Sequence, residues 1–277
     1  MAVKTGALQF FKWDEDIAEP SYNAGGLLLA GEMVAESALD MRYGVQNQAS
    51  PFAGPVRYSG RAEFGITADT KALIACALRG AGALTALKLY GGCTADIDIL
   101  HASALLNRLV VSGGVDQEPR ATIEWLALTE TQAAAGSTVV ALTSDLLPFG
   151  GASLSVDTAP VKAQNFEITV ENGVQAYTSL DAKEEDEMRL PQGLTVGMEK
   201  VSLRMGCLEM QTWDVGEDVP LQDIAALISY DDGTNDITFT FTGLSRRGAR
   251  PFPFVTESGL VIWQYEFMGP AGALVIA

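Results

Sequence analysis

The sequence predicts a mainly β protein, an antiparallel sandwich or barrel with a few short helices, and three observations carry that prediction. Apolar and polar residues alternate over short runs such as FEITV from residue 166 and ITFTF from residue 237, the period of a strand with one face buried. The 28 glycines among 277 residues imply frequent turns. The connections between successive runs are too short for crossover helices, which argues against a parallel sheet. With 48% hydrophobic and 19% charged residues the chain can bury a core, and its length suits one large β domain or two ordinary ones.

Residues 1–24 read as an arm. Phe10, Phe11 and Trp13 are followed at once by Asp14, Glu15 and Asp16, and rings on an arm want a surface, either the chain's own body or another subunit. The N-terminal apolar run is broken by Lys12 and the acids, which does not fit a signal peptide, and the apolar stretch before Glu32 is far short of a membrane span. We therefore expect a soluble chain made in a reducing compartment. Cys76, Cys93 and Cys207 are far apart, in none of the close pairs of zinc sites, and are expected to be buried thiols.

Residues 25–130 form a first unit. Residues 27–30 fit a strand or a buried turn, and residues 32–41 are mixed in character. PVRYSGRAEFGI from residue 55 reads as a strand with a glycine bulge or bend. Thr67-Ala-Asp-Thr offers N-caps for a helix of about three turns in KALIACALRG, residues 71–80. Four runs follow as a meander: LTALKLYGG, TADIDILHAS, LNRLVVSGG and PRATIEWLAL. His101, the only histidine, lies among them with no assignable nucleophile and no G-x-S-x-G motif.

Residues 131–160, rich in Ala, Ser, Thr and Gly, read as a linker, and residues 161–277 form a second unit that echoes the first. The strand at residue 166 leads to the acidic run DAKEEDEMR, and residues 194–203 read as one strand with a phase slip near Glu199 and Lys200 that a bulge explains. Residues 220–229 are a second helix candidate, with Pro220 at its first position. Asp231-Asp-Gly-Thr-Asn-Asp236 lacks the spacing of a calcium loop and reads as a hairpin turn. Arg246, Arg247 and Arg250 make the one basic cluster. A formal net charge of −17 excludes a generic grip on nucleic acid, and none of the 35 acids is marked as a catalytic pair by its context, so no catalytic, metal or cofactor residues are assigned. Trp125, Trp213 and Trp263 are available to a carbohydrate-binding module, but they lie in or beside apolar strands.

The order of elements resembles the tail tube proteins of long-tailed bacteriophages, in the larger form with two tube-like β units. The matching pieces are the residue 73–78 helix, the LNRLVVSGG and TIEWLAL pair, and NFEITVENGV followed by RLPQGLTVGMEKVSLRM. The last is the most specific: an aromatic strand enters a V-x-N turn, then come a variable loop, a Pro-Gly step and a Gly-containing strand. The resemblance implies a structural virion protein in a ring, commonly a hexamer, with inner strands in one continuous barrel, rings stacked into a tube and DNA passing through without specific binding. Its implied partners are further copies and other tail proteins such as tape measure, terminator and baseplate. Production is expected in the bacterial host cytoplasm. A tail terminator or baseplate hub is the alternative. On this reading Asp181, Glu184, Glu185, Asp186 and Glu187 line the lumen or meet the next ring, while Phe10, Phe11, Trp13, Arg246, Arg247 and Arg250 are candidate subunit contacts.

Overall fold

A computed structural model describes the chain except residues 1–5, 8–9, 18–21, 44–48, 80–81, 95–96, 116, 134–139, 144, 148–151, 179–189, 210–223, 232–235, 248–251 and 256–260. The first half runs β1 (Gly6–Ala7), β2 (Phe10–Glu15), β3 (Asn23–Ala24), β4 (Leu27–Tyr43), β5 (Ala49–Gly65), α1 (Ala68–Ala75), β6 (Leu87–Thr94), β7 (Ile97–Gly114), β8 (Gln117–Ala127) and β9 (Thr129–Ala133). The second runs β10 (Ala152–Val156), β11 (Ala159–Pro160), β12 (Ala163–Glu171), β13 (Gln175–Tyr177), β14 (Gly193–Thr195), β15 (Lys200–Cys207), β16 (Ile224–Asp231), β17 (Asp236–Arg246), β18 (Phe252–Val255), β19 (Val261–Gly269) and β20 (Leu274–Ile276). Every pairing among them is antiparallel, as the short connections predict.

One long sheet runs through both halves. Its neighbours are β4, β5, β8 and β7, then β12, β15 and β19, with β18 and the end of β17 on the far edge. The step from β7 to β12 joins the halves across seven residue pairs, from Asn165 opposite Gly114 to Glu171 opposite Arg108. A smaller sheet backs each half. In the first half β6 is flanked by β2 and the N-terminal part of β7, with β3 and β9 outside them. In the second, β16 lies between β10 and β17, with β11 and β20 outside.

The two halves are thus one path walked twice. The series β2, β3, β4, β5, β6, β7, β8, β9 corresponds to β10, β11, β12, β15, β16, β17, β19, β20. In each lobe one strand, β7 or β17, starts in the backing sheet and ends in the long sheet. Residues on either side of the 131–160 segment also share one apolar core, in which Phe166 packs on Tyr230 at 5.9 Å. Tyr230 lies over Gly113 of the first lobe, where a Cβ would fall 2.5 Å from its hydroxyl, so only glycine fits at that crossing.

Several expectations change. The second helix candidate is strand from Ile224 onward, because Ala226, Ile228 and Tyr230 are buried while Ala225 and Leu227 are exposed, a period of two. The first helix begins earlier and is shorter than three turns: Thr67 caps it, donating its N–H to Thr70 Oγ1 at 3.0 Å, and it closes at Cys76. The two runs around His101 are a single strand, β7, bent at Ser103 with φ 48°. Asp16 holds that bend, its Oδ2 accepting from Ser103 N–H at 3.0 Å and Oγ–H at 2.6 Å. Gly60 makes no bulge; it pairs in register with Met33 and Trp125, and a Cβ there would meet the Trp125 ring at 2.2 Å. The phase slip near Glu199 divides two strands in different sheets, with β14 on β13 and β15 on β12. Residues 27–30 and 32–41 resolve into β4.

Candidate functional site

The long sheet shows one apolar and one charged face, as alternation demands. Ala62, Phe64, Ile123, Leu109, Ile168 and Leu203 point into the core. Residues one step along each strand point the other way and carry charge. Across β4, β5, β8 and β7 the register sets Glu32 beside Arg61, Arg61 beside Glu124 and Glu124 beside Arg108. Across β12, β15, β19 and the end of β17 it sets Glu167 beside Arg204 and Arg204 beside Glu266, with the Arg247 N–H donating to Glu266 O at 2.8 Å. The same row, Glu-Arg-Glu-Arg, is written once on each lobe.

Side chains close these rows. Arg108 lies 3.5 Å from Glu124 and 3.8 Å from Glu171, the second contact crossing from lobe to lobe. Arg204 sits between Glu167 at 3.7 Å and Glu266 at 3.2 Å, and Arg247 reaches Glu266 at 3.4 Å. Arg120 pairs Glu63 at 2.9 Å. Partners on one face stand about 5 Å apart, well inside the ~8 Å screening length at physiological salt, so a phosphate above the face meets both signs at once. The acids of this face are matched by arginines. A trough of about 820 Å3 lies on the sheet here, lined by Ser112, Asn165, Glu167, Arg204, Gln264 and Glu266.

The sequence candidates distribute unevenly. Phe11 and Trp13 on β2 are buried in the chain's own core, Phe11 edge-on to Phe64 at 5.2 Å, while Phe10 lies half-buried on Tyr90. That is the tucked arrangement, one of the two surfaces the arm was expected to seek. Arg247 stands at the far edge of the charged face, while Arg246, opposite the buried Phe267, belongs to the other side of the sheet; Arg250 lies outside the described residues. Asp181, Glu184, Glu185, Asp186 and Glu187 also lie outside them, on the connection between β13 and β14. In chain order it falls between β12 and β15, as residues 44–48 fall between β4 and β5.

His101 is fully buried and committed: Nδ1 accepts from Trp125 Nε1–H at 2.9 Å and Nε2 meets Glu130 Oε2 at 3.0 Å. Trp125 is buried under Gly60, which removes it from any exposed aromatic row; Trp213 lies outside the described residues. Asp231 and Asp236 pair across a hairpin, as the turn reading expected. Cys207 is buried and Cys76 partly so, and burial pushes their thiols up to about 12 and about 11, respectively, with Glu15 adding to the second.

The charged rows went unread in the sequence, although a signal exists: Glu32 and Glu36, Arg57 and Arg61, Glu167 and Glu171, Lys200 and Arg204 all recur at a spacing of four in matching strands. Comparison with curated proteins finds no match. A family model described as phage tail tube protein matches residues 18–205, which takes in the first lobe from β3 and the second as far as β15. With two β lobes in one continuous sheet and a match over more than half its length, this chain belongs to the phage tail tube protein family.

Proposed function

We propose that the chain assembles into rings that stack as the tube of a phage tail, and that the genome passes through the lumen on ejection. One observation carries this reading: a charged face, continuous over both lobes, whose acids and arginines are paired. A wall of that kind presents phosphates with no net field at a screening length, so DNA slides along it without being held or strongly repelled. The chain has no catalytic role on this reading. Its partners are further copies of itself and the tail proteins at either end and within the tube, and it acts in the virion after synthesis in the bacterial host cytoplasm.

We assign residues 44–48, between β4 and β5, and the acidic connection between β13 and β14 to contact between successive rings. Neutralising four of the five acids Asp181, Glu184, Glu185, Asp186 and Glu187 should leave folding intact and weaken stacking; unchanged tube length and infectivity would remove that role. The reading as a whole is tested by negative-stain microscopy of the concentrated protein. Stacked tubes with a central hole are expected. Single rings that never stack would favour a terminator or hub, and persistent monomers would sink the assembly reading.

A further inference from the structure

We propose that the joint between the lobes binds a hard divalent cation, calcium by its chemistry, through the carboxylate of Glu199 and the side-chain oxygen of Asn172. Alternation and register bring the two residues together. On β12, Phe166, Ile168 and Val170 face the core, and opposite them on β15 stand Met205, Leu203 and Val201. The ladder closes with Glu171 opposite Lys200. One residue beyond that pair, on the core-facing side of each strand, come Asn172 and Glu199. The row of apolar pairs thus ends in two polar residues, 0% and 3% exposed.

The backbone fixes both. Gly173, at φ 59°, turns the chain out of β12, and Gly197 N–H donates to Asn172 O at 3.0 Å and to Gly173 O at 3.2 Å. A Cβ on Gly197 would stand 3.1 Å from Gly173 O, so the two segments lie against each other closely enough to favour glycine. Asn172 N–H donates to Asn107 O at 2.8 Å, and Val174 N–H donates to Asn107 Oδ1 at 2.7 Å. Glu199 is therefore held beside a turn that is itself pinned to the first lobe.

What these side chains lack is a donor. Asn172 spends its amide nitrogen on Ala77 O and Leu106 O, and its Oδ1 has no hydrogen-bond partner among the described residues. Neither carboxylate oxygen of Glu199 has one. Arg79 reaches this corner, but its guanidinium donates to carbonyls, Nη1 to Gly197 O at 2.9 Å and Nε to Gly82 O at 3.2 Å. Lys200 is exposed, on the opposite side of the strand. Three buried acceptors and a negative charge without a donor match the needs of a cation, since buried carboxylates persist when paired or bound to metal.

The oxygen donors select the ion. Zinc and copper sites draw on His and Cys, and the described residues contain no group of three His, Cys, Asp or Glu that could hold a metal. Calcium accepts a bidentate carboxylate and an amide oxygen in an irregular shell completed by water, whereas magnesium demands a near-ideal octahedron. One carboxylate gives a weak site, about 0.1–1 mM, in a chain whose net charge of −17 concentrates cations around it. The bound ion fastens the start of β15 to Asn172, which already ties β12 to β7 and to the residue following α1. The site lies within a single chain and is independent of ring assembly.

The test uses the full chain, stripped with a chelator and exchanged into chelator-free buffer. It is melted with about 10 mM calcium chloride, with the same concentration of magnesium chloride, and with sodium chloride at matched ionic strength, about ten- to a hundredfold above the expected dissociation constant for calcium. Calcium should raise the melting midpoint by about 3–6 °C over the sodium control, and magnesium by less. Glu199→Gln keeps the shape, removes the charge and supplies a donor for Asn172 Oδ1, so it should melt no lower than the stripped parent and lose the calcium shift. Asp231→Asn with Asp236→Asn, which neutralises the described ends of the acidic hairpin turn, should retain it. Equilibrium dialysis of the unsubstituted chain, which depends on no variant, should find about one calcium per chain. An unmoved parent midpoint with no calcium retained on dialysis overturns the site. An equal shift in Glu199→Gln, or a shift lost only in the turn variant, overturns its location.

Discussion

The first lobe buries Lys12, Asp14, Thr67, Thr70, Asp98 and His101; the second buries Asn172 and Glu199, both before β15 begins, and from β15 to β20 its core is apolar apart from the Tyr230 hydroxyl among the described residues. In the first, Trp125 donates to His101, Lys12 lies 4.4 Å from the Tyr90 ring, and Tyr90 donates to Asp98 at 3.1 Å. In the second, Phe166, Tyr230, Phe239, Phe241 and Phe267 fill the same space with rings. Two unlike cores under one topology show that strand order and alternation carry this fold, and that core chemistry is free to vary beneath them. Asn172 sits where the lobes meet, its Nδ2 donating to Ala77 O at 2.8 Å and Leu106 O at 2.9 Å, so the lobes are tied by polar contacts as well as by β7 and β12.

The largest effects should come from emptying either core. Trp125→Ala removes a buried ring and strands His101, and Phe241→Ala removes only packing; each should cost about 3–5 kcal/mol in denaturant unfolding, the first toward the upper end. Because the lobes share a sheet and a core, both variants should still unfold in one transition. Two separated transitions would break the idea of a common core. Next in size, His101→Ala should cost about 1–3 kcal/mol by orphaning Trp125 Nε1–H. Tyr230→Phe should cost nothing or stabilise by about 1 kcal/mol, because its hydroxyl is buried without a hydrogen-bond partner. Opposite signs for these two substitutions would sharpen the contrast between a satisfied and an unsatisfied core.

Alkaline pH should act on both lobes. Burial raises the thiols of Cys76 and Cys207 to about 11 and about 12 in the folded chain, above the ordinary value near 9, so the native state keeps protons that the unfolded chain releases. The stability this confers is complete below pH 9 and is lost as pH climbs through 11 and 12. Cys207→Ala should flatten that decline when melting temperature is followed from pH 8 to 12, and an unaltered slope would count against the buried thiol. The smallest effect belongs to the charged face. Arg204→Ala should cost less than about 1 kcal/mol in the single chain, since the side chain is 60% exposed and its two pairs are screened by water.

Much of this was legible in the chain itself. The period-two runs on β5, β8, β12, β15, β17 and β19 state which side of each strand faces the core, and short glycine-bearing connections force antiparallel neighbours, because burial and chain length are local constraints. The repeat of a Gly-containing strand in each half was also visible, as was the kinship those strands carry. What stayed hidden depends on residues far apart in sequence. Residues 224–229 satisfy a helical stripe and a strand alternation alike, and only the vacancy between β10 and β17 selects the strand. Phe11 and Trp13 look like an arm's free rings until β6 supplies their place. The charged rows need register, since Arg204 meets Glu167 and Glu266 from separations of 37 and 62 residues. Alternation tells each strand which way to face; only the assembled sheet decides which charge stands beside which, because a pairing register is a property of two strands and is written in neither alone.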